Sequence, residues 1–309
     1  MNIAYLISAH TDAPQLRRLI NALHTDAHYF IHIDKKSDIN AFTSIIEGDN
    51  IHFIKNRVDV RWGTMLQVEY QMRLIRAAVE YPVSFDRLFL LSGLDYPIWS
   101  NEKIKDFLLS LGDKELLQGI CMDSDAIDER YTDIYKTARP LVNLSFLSNK
   151  VNTWLSIVCR KLLKAIGYRK QLYFYRSKTI KDSSTLVHLY KGSSWWCITE
   201  SLARFVLQHY ESDEILRKYF SDSFGPDETL IQTIAFNSEE FASKCILKVG
   251  EYPGLAKLTP LHFIDYNPVI QIMTEKDYDR IKESGKMFAR KFVSGTSDKL
   301  VELIDKERN

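Results

Sequence analysis

The chain has 309 residues, of which 45% are hydrophobic and 26% are charged, and it contains 4 cysteines. This composition excludes an intrinsically disordered chain, which would have fewer apolar residues and a larger net charge. It also excludes a small disulfide-stapled scaffold, and the net charge of +1 argues against a general nucleic-acid-binding protein.

The first hundred residues alternate apolar runs with helical spacing, in the order β-α-β-β-α-β. The predicted strands are 3–8, 29–33, 51–54 and 87–91, and the predicted helices are 15–23 and 65–79. This alternation predicts an α/β fold with a mainly parallel central sheet flanked by helices. Further along we expect strands at 116–122 and 195–198, and helices at 101–111, 200–209, 228–236 and 275–284.

A strongly basic segment lies between residues 139 and 181. It contains ten basic residues and no acidic one, so the rest of the chain carries a net charge of −9. The segment includes an amphipathic helical stretch at 151–166. Its apolar face carries Trp154, Leu155, Val158 and Leu162, and its basic residues are Arg160, Lys161 and Lys164. This pattern is typical of an interfacial helix on an anionic membrane, and a packed helix with a solvated basic face is the alternative.

Polar motifs end or follow the first four predicted strands: Ser8–His10, Asp34–Lys36, Arg61–Gly63 and Ser92–Pro97. In open α/β sheets, ligands bind beyond the carboxyl ends of the strands. The four motifs therefore predict a rim built for a polar ligand. Dinucleotide-binding, P-loop and serine-hydrolase motifs are missing from any usable context, which argues against those classes of enzyme.

Two acidic motifs could carry chemistry. Asp227 and Glu228 follow Gly225-Pro226 at the start of a predicted helix, where they are either a rigidly placed general base or residues favoured by the helix dipole. Asp123-Ser124-Asp125 could hold a divalent metal beside a diphosphate, or could be a solvated acidic loop.

Aromatic and basic residues supply two further candidates. Trp195 and Trp196 could form a platform for a sugar ring, or a buried core pair. Arg290 and Lys291, between Phe288 and Phe292, could neutralise a departing diphosphate, or end a charged helix.

Seven of these motifs, in this order, resemble the core-2/I-branching β-1,6-N-acetylglucosaminyltransferase family, which includes peptide O-xylosyltransferases (glycosyltransferase family 14). The motifs are Ser8–His10, Phe30–Ser37, Arg61–Gly63, Leu91–Pro97, Gly192–Trp196, Pro226–Glu228 and Phe288–Phe292. The resemblance covers nearly the whole chain except the basic segment. It implies a single GT-A-like domain, with a nucleotide-sugar-binding half at 1–138, the basic insertion at 139–181 and an acceptor and catalytic half at 182–309.

The resemblance implies an inverting transfer of a sugar, N-acetylglucosamine or xylose, from a UDP-sugar to a glycan hydroxyl, with no metal and no other cofactor. Glu228 matches the general base, and Lys291 matches the basic residue on the UDP diphosphate. The expected donor contacts are Ser8, His10, Asp34, Arg61, Trp62, Asp95, His262, Arg290 and Lys291. For Asp95, the resemblance implies either contact with the sugar or organisation of its loop. The expected acceptor contacts are Glu129, Trp195, Trp196 and Asp227. His262 stands where the family often has an arginine, which would shift diphosphate binding onto Arg290 and Lys291.

Two other functions remain open at the level of sequence. One is a metal-dependent transferase that uses Asp123 and Asp125, and the other is a non-catalytic, membrane-associated glycan-binding module. The N-terminus, Met1–Ser8, predicts a first strand rather than a signal segment, so we expect a cytoplasmic protein, peripheral to the inner face of the membrane if the basic segment docks there. The expected partners are a UDP-sugar and a glycan or lipid-linked saccharide, without nucleic acid.

Overall fold

The computed structural model of the chain describes residues 1–122, 141–168, 180, 188–267 and 269–308. Its first part alternates strands and helices: β1 (Ile3–Ala9), α1 (Ala13–Ala22), β2 (His28–Ile33), α2 (Asn40–Thr43), β3 (Ile51–Phe53), α3 (Leu66–Val79) and β4 (Arg87–Ser92). The middle contains β5 (Asp95–Pro97), α4 (Asn101–Ser110), β6 (Gln118–Cys121), α5 (Asn149–Ala165), β7 (Tyr190–Gly192) and β8 (Cys197–Ile198). The last part contains α6 (Glu200–Ser212), α7 (Glu214–Phe220), α8 (Leu230–Phe236), β9 (Ile246–Lys248), β10 (His262–Ile264), α9 (Tyr278–Glu283), β11 (Phe288–Arg290) and α10 (Asp298–Arg308).

The central sheet has the strand order β3-β2-β1-β4-β8. Its first four strands are mutually parallel, and β8 pairs antiparallel with β4. Two smaller sheets, β10-β11-β5 and β7-β6-β9, complete the fold. The predicted α/β architecture with a mainly parallel sheet is confirmed.

The alternation of side chains along β1 explains how the sheet is covered on both faces. Ala4 and Leu6 pack into a core with residues of α3, α6 and α8, whereas Tyr5 and Ile7 pack into a second core with residues of α1 and α4. Because a strand sends successive side chains to opposite faces, a continuous apolar run indicates burial on both sides. Among the described residues, none of the helices combines the length and apolar composition needed to cross a bilayer.

The structure differs from the sequence expectations in several short elements and in helix α10, whose 11 residues were not predicted. The helix predicted from Glu228 begins at Leu230, because Pro226–Glu228 forms a separate 3-10 turn that follows Gly225. The basic motif at 288–292 begins with strand β11 and does not end a helix, and β11 is the central strand between β10 and β5. The strand predicted at 195–198 shortens to Cys197–Ile198.

Candidate active site

A cavity of about 590 Å³ opens at the carboxyl ends of the parallel strands, and we call it the strand-end cavity. Its lining residues are Ser8, Ala9, His10, His32, Asp34, Lys36, Val60, Arg61, Trp62, Gln67, Tyr70, Ser92, Ser194, Trp195, Asp227, Glu228, Tyr266, Ile270 and Arg290. All four predicted rim motifs contribute to it. A larger cavity of about 860 Å³ between α1, α4 and α10 contains none of the predicted site residues.

Strand register explains why polar side chains meet at the floor of the cavity. Ser8 of β1 lies opposite His32 of β2 and Ser92 of β4, so three neighbouring strands present polar residues at the same level. The His32 ring is nearly fully buried, and burial lowers its pKa to about 4. The neutral ring accepts a hydrogen bond of 2.8 Å from the Val58 backbone N–H at Nε2, which holds the loop that leads to Arg61.

His10 and Asp34 lie on the side of the cavity where positive charge collects. The pKa of His10 is lowered, first by burial and then by the charges of Arg290, Lys291 and Lys36, against the opposing effect of Asp34. His10 is therefore neutral near pH 7 in a region of positive potential. Asp34 accepts a hydrogen bond of 3.0 Å from the Lys36 backbone N–H and forms an ion pair of 3.3 Å with the Lys36 ammonium.

The Arg61–Gly63 motif and the Phe224–Glu228 motif are bound to each other, although about 160 residues separate them. The Gly225 N–H donates to the Gly63 carbonyl at 3.1 Å, and the Trp62 ring packs edge-on against Phe224 with centroids 5.1 Å apart. Gly63 has a φ of +75°, and a Cβ at this position would lie 2.7 Å from the Phe224 ring. Only glycine fits this contact.

Glu228 is the last residue of the 3-10 turn and is bound by Lys191 of strand β7. Its Oε2 accepts a hydrogen bond of 2.6 Å from the Lys191 ammonium on β7. The Glu228 side chain is 22% exposed and the Lys191 side chain is 11% exposed, so the pair is largely withdrawn from water while the carboxylate still reaches the cavity. A partly desolvated carboxylate with a fixed orientation has the geometry of a general base.

Asp227, next to Glu228, is in a more buried setting. Burial, followed by the negative charge of Glu228, raises the pKa of Asp227 to about 7, against the hydrogen bond from Ser194 and the charge of Lys191. Its Oδ2 accepts hydrogen bonds from Ser194 Oγ at 2.6 Å and from Gln67 Nε2 at 3.2 Å. The two adjacent acidic residues therefore differ: Asp227 is held by hydrogen bonds within the protein, and Glu228 is held by an ion pair at the cavity.

Asp95 does not line the cavity, so its contacts agree with the loop-organising role and give no support to the predicted contact with the donor. It has no exposed surface, and its two oxygens bind Arg290 Nη1 at 2.9 Å and His262 Nε2 at 3.0 Å. Burial by itself raises the pKa of Asp95, but the charges of His262 and Arg290 outweigh it, and the pKa is lowered overall. Asp95 thus orients Arg290, whose side chain does line the cavity.

The prediction that His262 contacts the donor also finds no support in the structure. His262 is fully buried between the Trp195 and Phe288 rings, with ring centroids at 5.7 and 5.4 Å, and it does not line the cavity. The antiparallel register of β11 and β5 sets Arg290 opposite Asp95. The parallel register of β10 and β11 sets His262 opposite Phe288, within hydrogen-bond distance of Asp95. His262 therefore belongs to the support of Arg290 and does not contact a ligand in this arrangement.

Trp195 and Trp196 lie in different environments. Trp195 lines the cavity, and the Arg290 guanidinium lies 4.9 Å from the centroid of its ring, a cation–π contact. Trp196 is fully buried in the core, so the predicted acceptor contact of Trp196 is wrong. Because successive residues of an extended segment face opposite ways, only one member of a Trp-Trp pair can face the cavity.

Lys291 does not line the strand-end cavity, although its charge acts on His10 at the rim. It is half-buried, and its carbonyl accepts a hydrogen bond of 2.9 Å from the Met273 N–H. Its predicted contact with a diphosphate stays a prediction.

Asp123, Asp125 and Glu129 lie outside the described residues. Within the described ranges, no group of three or more His, Cys, Asp or Glu side chains is arranged to hold a metal ion.

Sequence reasoning missed two residues that line the cavity, Gln67 and Tyr266, and a third residue, Lys191, that binds Glu228 without lining the cavity. Lys191 precedes the Gly192–Trp196 motif, and its only signal is a lysine in a short buried strand. Gln67 lies on the second residue of α3, where its amide accepts from the Gly63 N–H and donates to Asp227, so it joins the two glycine-containing motifs. Tyr266 lines the cavity and has its pKa raised by burial first and by Glu228 second.

The sequence comparisons with known proteins point to one family. The family model described as "Core-2/I-Branching enzyme" matches residues 3–252. Xylosyltransferase 2 of Homo sapiens is 25% identical over 99% of this chain and 33% of its own length, and a xylosyltransferase of Ciona intestinalis is 31% identical over 38% of this chain and 14% of its own. The chain thus spans about a third of the length of the full-length curated relatives it matches. Among solved structures, the galactosyltransferase LgtC aligns over 99% of this chain and 96% of that one, at 12% identity and a TM-score of 0.41.

Proposed function

This chain belongs to the core-2/I-branching enzyme family, and we propose that it is an inverting glycosyltransferase that moves a sugar from a UDP-sugar to a hydroxyl group of a glycan. The proposal rests on two charged side chains that line the same cavity. Glu228, a carboxylate held by Lys191, and Arg290, a cation held by Asp95, both line it. These are the two kinds of group that a single displacement at a sugar carbon requires.

In the proposed reaction, Glu228 takes the proton of the acceptor hydroxyl as that oxygen attacks C1 of the donor sugar. The bond between C1 and the diphosphate oxygen breaks on the opposite face, and the electron pair leaves with UDP. A positioned base contributes about 10²–10⁴ in rate. The proton ends on Glu228, where the Lys191 ion pair fixes the carboxylate before it is protonated.

Negative charge builds on the diphosphate as the bond breaks. Arg290 is fixed by Asp95 on one side and by the Trp195 ring on the other, so little reorganisation is needed when that charge develops. We assign Lys291 to the same task, and this assignment rests on the family motif and on the effect of its charge at His10. Fixed cations would make the transfer independent of a divalent metal.

The remaining rim residues form the proposed wall for the nucleotide. Ser8, His10, Asp34, Arg61 and Trp62 line the cavity at the carboxyl ends of β1, β2 and β3. Hydroxyl, imidazole and carboxylate groups match the hydroxyl and carbonyl groups of uridine, and the exposed indole of Trp62 offers a face for a ring. The relatives named xylosyltransferases support xylose as the first donor sugar to try, with N-acetylglucosamine second.

A donor screen tests the proposal. The full chain is incubated with a panel of UDP-sugars in excess EDTA, and free UDP is measured, since slow hydrolysis reports the donor without a known acceptor. We expect UDP release from one or two donors and tight binding of UDP alone. A chain that does not bind UDP would contradict the proposal, and release that is lost in EDTA and restored by Mn²⁺ would contradict metal independence.

A further inference from the structure

Helix α5 turns its polar side toward the loop that precedes it and exposes large apolar side chains. Asn152 and Ser156 are 1% and 0% exposed. Asn152 binds both the N–H and the carbonyl of Leu144 at 3.0 Å, and Ser156 Oγ accepts from the Val142 N–H at 2.8 Å. These contacts fasten the helix to the preceding loop through polar groups, the reverse of the usual orientation of an amphipathic helix on a protein core.

The outward side of α5 carries large apolar side chains. Trp154 is 61% exposed, Leu162 is 63% exposed, and Ile166, just beyond the helix, is 78% exposed. Residues 151, 154, 158 and 162 recur at every third or fourth position, so they form one stripe along the helix. Phe146, in the loop that α5 holds, is 80% exposed and extends the apolar surface.

Basic residues flank this stripe. Residues 141–168 contain four basic residues, Lys150, Arg160, Lys161 and Lys164, and no acidic one. A partner of this helix must accept exposed apolar side chains and cations together. An anionic lipid surface satisfies both at once, because apolar side chains enter the acyl boundary while lysines remain at the headgroups.

The first turn of helix α5 is near enough to the rim of the strand-end cavity for the charge of Lys150 to act on Asp59. The pKa of Asp59 is lowered, first by the hydrogen bond from Lys36 and also by the nearby charges of Arg61 and Lys150. Lys36 and Arg61 line the cavity, and Lys150 is the second residue of α5. A surface that receives α5 would therefore meet the protein close to the opening of the cavity.

We propose that the surface formed by Phe146, Trp154, Leu162, Ile166 and the flanking lysines of α5 docks on an anionic lipid membrane. The acceptor is then a saccharide carried on a lipid, which the membrane presents to the cavity. The docking itself stands on the geometry of α5, and only the identity of the acceptor rests on the proposed function.

Co-sedimentation with vesicles tests the docking. One set of vesicles contains equal parts of phosphatidylglycerol and phosphatidylcholine, and a second set contains phosphatidylcholine alone, both at low salt. The variant K161Q/L162S removes one lysine and one exposed leucine from α5. Its matched control, K105Q/L109S, makes the same two changes on α4, where Leu109 is 60% exposed.

We expect wild type and the α4 control to sediment with the anionic vesicles and not with the neutral ones, and the α5 variant to bind about tenfold more weakly. The single variant W154S, at another exposed position, should weaken binding in the same direction. Binding that is equal for the α5 variant and its control overturns the proposal, as does wild type that stays in the supernatant with anionic vesicles. A wild-type dimer that becomes monomeric in the α5 variant without any vesicle binding would assign the surface to a second copy instead.

The vesicle experiment and the donor screen can fail independently of each other. A chain that sediments with anionic vesicles but releases UDP from no donor keeps the docking and contradicts the proposed function. A chain that releases UDP but ignores anionic vesicles keeps the function and overturns the docking.

Discussion

At the scale of single residues, the chemistry of the strand-end cavity depends on how two adjacent carboxyl groups are held. Glu228 faces the Lys191 ammonium at 2.6 Å, while Asp227 is enclosed by Ser194 and Gln67. With the pKa of Asp227 near 7, the pair carries less than two negative charges in neutral solution. When Asp227 is neutral, it does not repel the Glu228 carboxylate, and the Lys191 ammonium pairs with Glu228 alone.

This difference predicts a pH dependence of stability. The pKa of Asp227 is raised in the folded state, so its contribution to stability is fully present below about pH 4 and is lost as the pH rises through about 7. Asp227→Asn keeps an oxygen for both hydrogen bonds but cannot ionise. We expect its free energy of unfolding, relative to wild type, to increase by on the order of 2 kcal/mol between pH 5 and pH 8. Urea unfolding across that range checks this, with the exposed Asp106→Asn as control, and parallel profiles for wild type and Asp227→Asn would contradict it.

Asp95 offers a second prediction at this scale. Asp95→Asn leaves the Arg290 guanidinium, which is only 13% exposed, without its counter-charge, so we expect the free energy of unfolding to fall by about 3 kcal/mol. Glu307→Gln is the matched comparison, because it removes one partner of the exposed ion pair with Lys282 and should cause a much smaller change. Urea unfolding at pH 7 measures both, and equal losses would mean that the Asp95 pair does not behave as a buried one.

The same residues show what can be read from sequence and what cannot. The strand-end position of Ser8 and Asp34 was predictable, because a parallel sheet gathers the carboxyl ends of its strands at one edge. Glu228 was predictable from the Gly-Pro turn that precedes it. The burial of Asp95 and His262 was not predictable, because it depends on how β5, β11 and β10 pair. The burial of Trp196 was not predictable either, because the sequence does not show which of two adjacent tryptophans faces the core. Lys191 escaped notice because its partner lies 37 residues away on a different element.

At the scale of elements, the long periodic segments of the first 110 residues were predicted well, whereas the short strands and the C-terminal helix α10 were not. Strands β1, β2 and β4 and helices α1, α3 and α4 agree with the prediction to within a few residues, since each carries a full apolar pattern. Strands β5, β7, β10 and β11 have three residues each, too few for a period, and they are formed by pairing with distant strands. These short strands are the ones that position Arg290, Asp95 and Lys191.

The contact between the loop at Gly63 and the turn at Phe224 gives a prediction for these elements. Gly63→Ala would place a Cβ 2.7 Å from the Phe224 ring, so the turn that carries Glu228 must shift. We expect the rate of UDP release to fall by about tenfold or more, in line with the cost of misplacing a catalytic group. Gly112→Ala is the control, because Gly112 also has a positive φ, +59°, but has no atom within 4 Å of its added Cβ.

Initial rates and urea unfolding are measured together for both variants. The backbone strain of about 1 kcal/mol is common to them, so a rate defect confined to Gly63→Ala reports the loop contact. If Gly112→Ala loses as much activity as Gly63→Ala, the effect is one of general stability and the contact has no role in positioning Glu228.

At the scale of the whole molecule, the net charge of +1 is a sum of unlike parts. A basic segment at 139–181 contributes ten positive charges, and its described portion is the helix that faces outward with exposed tryptophan and leucine. The rest of the chain, at −9, contains the cavity and concentrates a few cations around His10 and Arg290. The separation of charge agrees with a separation of tasks between a catalytic cavity and a docking helix whose first turn is near its rim.

The central claim is that Glu228 is the base of a sugar transfer whose donor binds independently of it. Wild type, Glu228→Gln and the exposed control Glu239→Gln are compared for UDP release from the best donor and for UDP affinity by calorimetry. We expect Glu228→Gln to lose at least about 100-fold in rate while its UDP affinity and that of the control stay within about threefold of wild type. Near-normal turnover of Glu228→Gln, with the control unchanged, would contradict the account.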